Sequence, residues 1–245
     1  MARPGFRRQL DILVDRNLAI HAGAFSTALL MLLQAPVIGG FIGLAWKGQE
    51  PVPQTYFVMA VAALWMGCMN ATTSVVQERA VYMRERMFEL DLAAYLLSKL
   101  AVLAVLGAVQ TVLLLAAQGR LMHLKESLGP LTLAFLVMAA TNIASAGLGL
   151  LISCVAKTSY GAVVAVPILL IPQVLFSKII LQGNIDKGVP SVLEKLTLTK
   201  WCYDALVNIQ DGAAWSTQLG SLAALTGGLG AFMALAYLKL WAEDA

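Results

Sequence analysis

Between Glu78 and Asp91 the chain carries seven charged side chains, within the stretch QERAVYMRERMFELDLAAYLLSK from Gln77 to Lys99. Carboxylates and guanidiniums at this density can meet a charged partner or pair with one another. Val81, Tyr82, Met87, Phe88, Leu90 and Leu92 are interleaved with them. That mixture suits a helix docked on something, and it argues against a solvated hairpin. No Gly or Pro interrupts the stretch, so a continuous helix is expected. The residues alone leave two readings open: an elbow helix docked on another protein, and a salt-laced helix packed on the chain's own surface.

Other chemistry is sparse. His21 and His123 fall on opposite sides of the layout described below, so no paired-histidine metal site is expected. Cys68 and Cys154 lie inside apolar runs and read as buried thiols; Cys202 sits where an oxidising compartment would permit an intermolecular bridge, with a buried thiol the plainer reading. An intramembrane enzyme or an ion-coupled carrier needs ionisable groups at membrane depth. Here the polar residues within the runs, Asn70, Thr72, Thr73, Ser74, Gln110, Asn142 and Gln173, are neutral, while Lys99 and Lys178 sit near run ends where they can snorkel. No phosphate-cradling GxxxxGKS/T loop occurs, and Gly227, Gly228 and Gly230 follow no strand, so they read as packing.

The elements that must position these residues are membrane helices. Hydrophobic residues make up 59% and charged residues 13% of the 245-residue chain, far below the roughly 25% charge of a soluble domain, and the mean hydropathy is +0.77. A hydrocarbon core ~30 Å thick needs roughly 20 residues of helix. Six runs meet that length: Ala24 to Trp46, Tyr56 to Val76, Leu96 to Ala117, Leu131 to Ala156, Tyr160 to Leu181 and Leu219 to Trp241. The first is longer than a signal-peptide core, so no cleavage is expected. An even span number puts both termini on one side. With that side cytoplasmic, Arg3, Arg7, Arg8, Arg16, Arg79, Arg84 and Arg86 lie inside and Arg120 alone of the arginines lies outside, which sets the orientation. The net charge of +3 is spread over both sides and points to no nucleic acid.

The flanking segments carry their own patterns. From Pro4 to Ile20, Phe6, Leu10, Leu13, Val14 and Leu18 recur at helical spacing beside Arg7, Arg8, Asp11, Asp15 and Arg16, which predicts an amphipathic helix in the cytoplasmic interface. A simple basic topology anchor is the alternative. Between the fifth and sixth runs, Gly188 to Gly212 predicts a pair of short outer helices, with Pro190 in the first turn of one and Thr199 capping the other. Pro167 and Pro172 should kink the fifth span. Gly39 and Gly43, and Ser145, Gly147 and Gly149, make small-residue faces for close helix contact.

ERAVYMRERM (78–87) followed by AAYLLSK (93–99) resembles the elbow of the ATP-binding cassette permeases of the G-subfamily, also called white-type. FSKII (176–180), an insertion, and then KWCYDAL (200–206) resemble that family's fifth helix and outer re-entrant helices. RRQLDILVDRN (7–17) and LLQAPVIG (32–39) look most like bacterial members in which forkhead-associated and nucleotide-binding domains precede the permease. The likeness runs through the whole chain. The elbow departs from the family in having Phe88-Glu89-Leu90 where a Gly usually precedes its tyrosine.

The resemblance implies an all-α permease domain over 1–245, with a connecting helix (1–23), a coupling helix (77–95) and an outer re-entrant segment (182–215). It implies a homodimer around a central cavity, with each elbow docked on an ATPase domain, fused or separate, that binds ATP and Mg. The present chain would then be no enzyme by itself. Glu78, Arg79, Arg84, Glu85 and Arg86 would carry the docking contact; Trp65, Met69, Pro167, Ile171 and Val174 would wall the cavity; and Ile179 and Ile180 would close it outward. The implied function is export of a lipophilic or amphipathic compound across a bacterial inner membrane. A permease for a lipid-linked glycan or polymer, and a non-transporting scaffold that recruits a regulatory protein, are the rival readings.

Overall fold

The computed structural model describes residues 5–88, 90–122, 128–181, 188–212 and 215–243. Arg3, Glu89, His123, Lys125 and Lys187 lie outside them, as do parts of the outer segment between the fifth and sixth runs. Among the described residues every regular element is helical. Five helices, α2 (Phe25–Ala45), α3 (Pro53–Ala71), α5 (Leu92–Gly119), α6 (Leu128–Val155) and α11 (Trp215–Ala242), are long and apolar enough to cross a membrane.

The fifth expected span is shorter than its apolar run. α7 (Ser159–Leu175) has 17 residues, about 25 Å, which falls short of a ~30 Å core. Phe176 leaves the helix with ψ 34°, and Ser177 opens a fresh turn, α8 (Lys178–Leu181), by offering its carbonyl to the N–H groups of Ile180 and Leu181. Hydropathy does not register this break, because the residues beyond it are as apolar as those before. Pro167 and Pro172 lie inside α7, and their missing N–H groups leave the carbonyls four residues upstream without helical donors, which weakens the helix ahead of the break.

α1 (Phe6–Gly23) precedes α2, with Ala24 (ψ 49°) between them. Its buried line is Leu13 and Asn17, with Leu10 packed beside them, while Phe6 and Leu18 of the expected apolar face stay exposed. The charged stretch is not one continuous helix. A 3-10 turn (Val76–Glu78) leads into α4 (Arg79–Arg86), the chain bends at Met87 and Phe88, and Asp91 restarts the helix by accepting from the N–H groups of Ala93 and Ala94 at 2.9 and 3.1 Å. An Asp N-cap just ahead of an apolar run is the local signal for that boundary.

α6 is the central helix and packs on α3, α5, α7 and α11, and on the outer helix α10 (Leu198–Gln210). Small residues permit this, since van der Waals contact at close range is what holds helices together in lipid. The Ser145 hydroxyl donates to the Leu64 carbonyl, and Gly149 lies against the Cys68 carbonyl of α3. Gly39 and Gly43 bring α2 onto α5: a Cβ at Gly39 would come within 2.6 Å of the Leu114 carbonyl oxygen.

The outer pair forms as α9 (Val189–Leu196), with Pro190 in its first turn, and α10. Thr197 occupies the N-cap position of α10, and Thr199 is inside the helix and buried. α10 is a core element: Cys202, Ala205, Leu206 and Ile209 pack among residues of α2, α3, α5 and α6. Full burial of Cys202 removes it from any intermolecular bridge, and Cys68 and Cys154 are buried thiols too.

Candidate functional site

The elbow is braced by its own charges. Glu78 accepts from the Lys99 ammonium of α5 at 2.6 Å and lies 3.9 Å from the Arg16 guanidinium of α1. Arg16 also pairs with Glu85 at 2.5 Å. Arg79 donates to the Ala156 carbonyl at the end of α6 at 2.8 Å, and to both carboxylate oxygens of Glu243, past the end of α11, at 2.5 and 2.6 Å. Arg86 donates to the Leu90 carbonyl at 2.7 Å, which holds the bend. Burial would raise the Glu243 carboxyl, but hydrogen bonds from Lys239 and Arg79 outweigh it and hold the group below the usual carboxylate range.

Backbone and aromatic contacts complete the brace. The Ser153 hydroxyl of α6 accepts from the N–H groups of Val75 and Val76 at 2.9 and 3.0 Å. Tyr82 is buried with its ring centroid 5.2 Å from that of Tyr95. Gln9 accepts from the Asp91 N–H at 3.0 Å, and Asn17 donates to the Ser98 hydroxyl at 3.0 Å, so α1 is pinned to the start of α5. The elbow is thus tied to α1, α5, α6 and the end of α11. Lys99, expected to snorkel, is instead buried in this network.

What remains outside is different in kind. Met87 and Phe88 are 77% and 80% exposed, and Val81, Met83 and Arg84 are exposed beside them. Among the described residues Glu78, Arg79 and Glu85 form ion pairs and Arg86 holds the Leu90 carbonyl, whereas Arg84 points outward. Four of the charged side chains thus pack on the chain's own surface, as the second reading of the stretch expects, and an apolar face with one arginine points away from it. The sequence marked the charges but not that face, whose signal was the unbroken Met87-Phe88 pair at the bend.

The cavity candidates lie on two packed helices. α3 meets α7 through Leu64 and Cys68 against Ala162, Val166 and Leu170. Beside this seam Trp65 is 40% and Ile171 61% exposed; Pro167 is exposed, and Met69 and Val174 are half-buried. α8 carries the gate candidates against α3 and α7, with Ile180 exposed and Ile179 half-buried. The exposed face of α7 continues through Tyr160, Val164, Ile168 and Leu175.

The sequence also did not reveal a polar chain through the apolar interior. Gln34 donates to Asn70 Oδ1 at 3.0 Å, Asn70 donates to Gln110 Oε1 at 2.7 Å, and Gln110 donates to the Met31 carbonyl at 2.7 Å. Every link is a paired, neutral hydrogen bond, so the network joins α2, α3 and α5 without a buried charge. Among the described residues no group of three or more His, Cys, Asp or Glu could hold a metal ion.

Comparison with known proteins agrees with this architecture. An ABC transporter ATP-binding/permease protein of Mycobacterium tuberculosis, Rv1747, is 30% identical over 180 residues, which cover 70% of this chain and 21% of that protein. The chain therefore spans about a fifth of the length of the curated relative it matches. The model of the ABC-2 type transporter family matches residues 8–210, through α1, the braced elbow, the central helices and the outer pair. The chain belongs to the ABC-2 type transporter family, as a membrane component with several candidate membrane-spanning helices.

Proposed function

We propose that this chain is the membrane-spanning unit of an ATP-driven exporter of the white-type group, moving a lipophilic or amphipathic compound as a homodimer with both termini cytoplasmic. The observation that carries the proposal is the elbow: a short helix tied to four others through Glu78, Arg79, Glu85 and Tyr82, with an exposed face of Met83, Arg84, Met87 and Phe88. Such a face is a docking surface for an ATPase domain, and the ties would pass its displacement to the spans. Arg84 and the rim charges set register and orientation, and the apolar pair supplies contact area. The relative's name, an ATP-binding/permease protein, supports an ATPase domain as partner, fused or separate, which would hold ATP and Mg.

The cavity reading rests on α7. A helix break at membrane depth is tolerated where protein or a water-filled cavity lies beside it, not against lipid. The break at Phe176 and Ser177 therefore favours a second copy or a cavity next to α7 and α8. Trp65, Met69, Pro167, Ile171 and Val174 would wall that space, and Ile179 and Ile180 would close it outward.

The test is coupling. In the complete transporter, Phe88→Asp combined with Met87→Asp should leave a folded dimer whose ATP hydrolysis no longer responds to substrate. Glu85→Arg, which opposes Arg16 with a like charge, should do the same by loosening the brace. Normal transport with normal substrate-stimulated hydrolysis in both variants would remove the docking role and favour the scaffold reading.

A further inference from the structure

A cleft separate from the proposed cavity opens at the elbow end of the bundle, between the α1–α2 junction and the turn that follows α3. It encloses about 130 Å³; a buried water needs roughly 10–15 Å³ on that measure, so the cleft takes a polar head group with room to spare. None of Trp65, Met69, Pro167, Ile171 or Val174 lines it.

Its two walls differ. The α1–α2 side carries Ile20, Ala24, Ala28 and Met31 together with His21 and Thr27, and the other side is polar, with Asn70, Thr73, Ser74, Gln77 and Lys99. The side chains of Thr27, Thr73 and Gln77 make no hydrogen bond within the described chain, and Ser74 holds only a long one, 3.5 Å, to the Asn70 carbonyl. His21 Nδ1 lies 2.9 Å from the Asn17 carbonyl and donates to it, which leaves the other ring nitrogen for a polar partner in the cleft. Lys99, 4% exposed, gives one N–H to Glu78 and has two more.

Charge decides what such a cleft can hold. Lys99 and Glu78 are the charged groups on its walls, 2.6 Å apart and mutually neutralised. Arg16 behind them lies 3.9 Å from Glu78 and is itself paired with Glu85. An anionic head would have to pull Lys99 away from Glu78 and leave that carboxylate uncompensated, and a cationic head would do the converse to Lys99; either costs more than it returns. An uncharged head rich in hydroxyl groups meets three unpaired side chains and the spare Lys99 donors without disturbing the pair. Ala24, Ala28 and Met31, along the first turns of α2, then receive the chain attached to that head.

We propose that this cleft binds the uncharged, hydroxyl-bearing head of an amphiphile, with the tail lying along Ala24, Ala28 and Met31. The site goes beyond the exporter reading and does not depend on it, because it is read by binding and not by transport.

The experiment places the full protein in phosphatidylcholine nanodiscs and labels it with a photoreactive monoacylglycerol. Adducts are mapped by peptide mass spectrometry. Labelling is expected on the segments 20–31 and 70–78. Monoolein should compete for it about tenfold more effectively than oleoyl lysophosphatidate, which carries the same chain on an anionic head. Ala28→Phe, which fills the cleft, should cut labelling about tenfold, and Thr73→Val with Gln77→Leu, which removes hydrogen bonds without adding bulk, should do likewise. If Ala28→Phe does not yield folded protein, the polar double variant decides. Labelling confined to other segments, competition by the anionic lipid as strong as by monoolein, or labelling unmoved by the polar double variant overturns the proposal. Loss of coupling in elbow variants leaves this outcome untouched, so the two readings fail separately.

Discussion

Arg79 grips Glu243 with one guanidinium nitrogen on both carboxylate oxygens, at 2.5 and 2.6 Å, and so ties the first residue of the elbow helix to the chain just past the last span. The two residues are 164 positions apart in sequence. A second nitrogen of the same side chain holds the Ala156 carbonyl, so one arginine joins α4, α6 and α11. Both side chains are shielded, at 27% and 18% exposure, so breaking the pair should cost about 1–2 kcal/mol, above the range for open surface pairs.

Glu243→Gln is expected to lower stability at neutral pH by that amount and to remove a pH dependence. The Glu243 carboxyl is held below its ordinary value in the folded protein. Its contribution is therefore present in full above the unfolded carboxyl value and is lost as pH falls through the lower, folded value. Thermal unfolding in detergent from neutral to acid pH should show the wild-type advantage over Glu243→Gln shrinking in that window. A constant gap would mean that the charge pair contributes nothing.

Asn142 sits between two glycines of neighbouring helices. A Cβ on Gly107 of α5 would overlap its side-chain oxygen, and a Cβ on Gly67 of α3 would overlap its backbone carbonyl. Each alanine substitution should destabilise by about 1–3 kcal/mol. Asn142→Ala, which clears a side chain lacking hydrogen-bond partners in the described chain, should rescue Gly107→Ala and leave Gly67→Ala unrescued. Equal rescue of both would show that the backbones part readily.

Trp65→Ala is expected to weaken substrate stimulation of ATP hydrolysis with a smaller effect on stability. Losing an aromatic wall typically removes about 1–3 kcal/mol of contact. Half-saturating concentrations for several amphipathic compounds should rise in parallel. Unchanged values would place this 40% exposed indole against lipid.

Cysteines introduced at Ile180 in the two subunits of a dimer should crosslink in the resting state and lose that crosslink when ATP is trapped. Paired branched side chains exclude water without a charge, and a short helix beyond a break can shift by a turn without unfolding. Equal crosslinking in both states, or none in either, counts against a gate at Ile179 and Ile180.

Hydropathy and composition were sufficient for the membrane class, for five of the helices and for the position of the charged elbow, because each rests on a local window of residue types. The small-residue faces were legible for the same reason: Gly39 and Gly43 have no side chain to keep α5 away. The tertiary structure decided where the charges go. Arg16 and Glu85 are 69 positions apart, and no local pattern states that they meet. Their pairing turns the elbow's charges inward and leaves Met87 and Phe88 as its outward face. The break after Leu175 and the burial of α10 were hidden likewise, since apolar residues look alike to lipid and to protein, and only neighbouring helices distinguish the two.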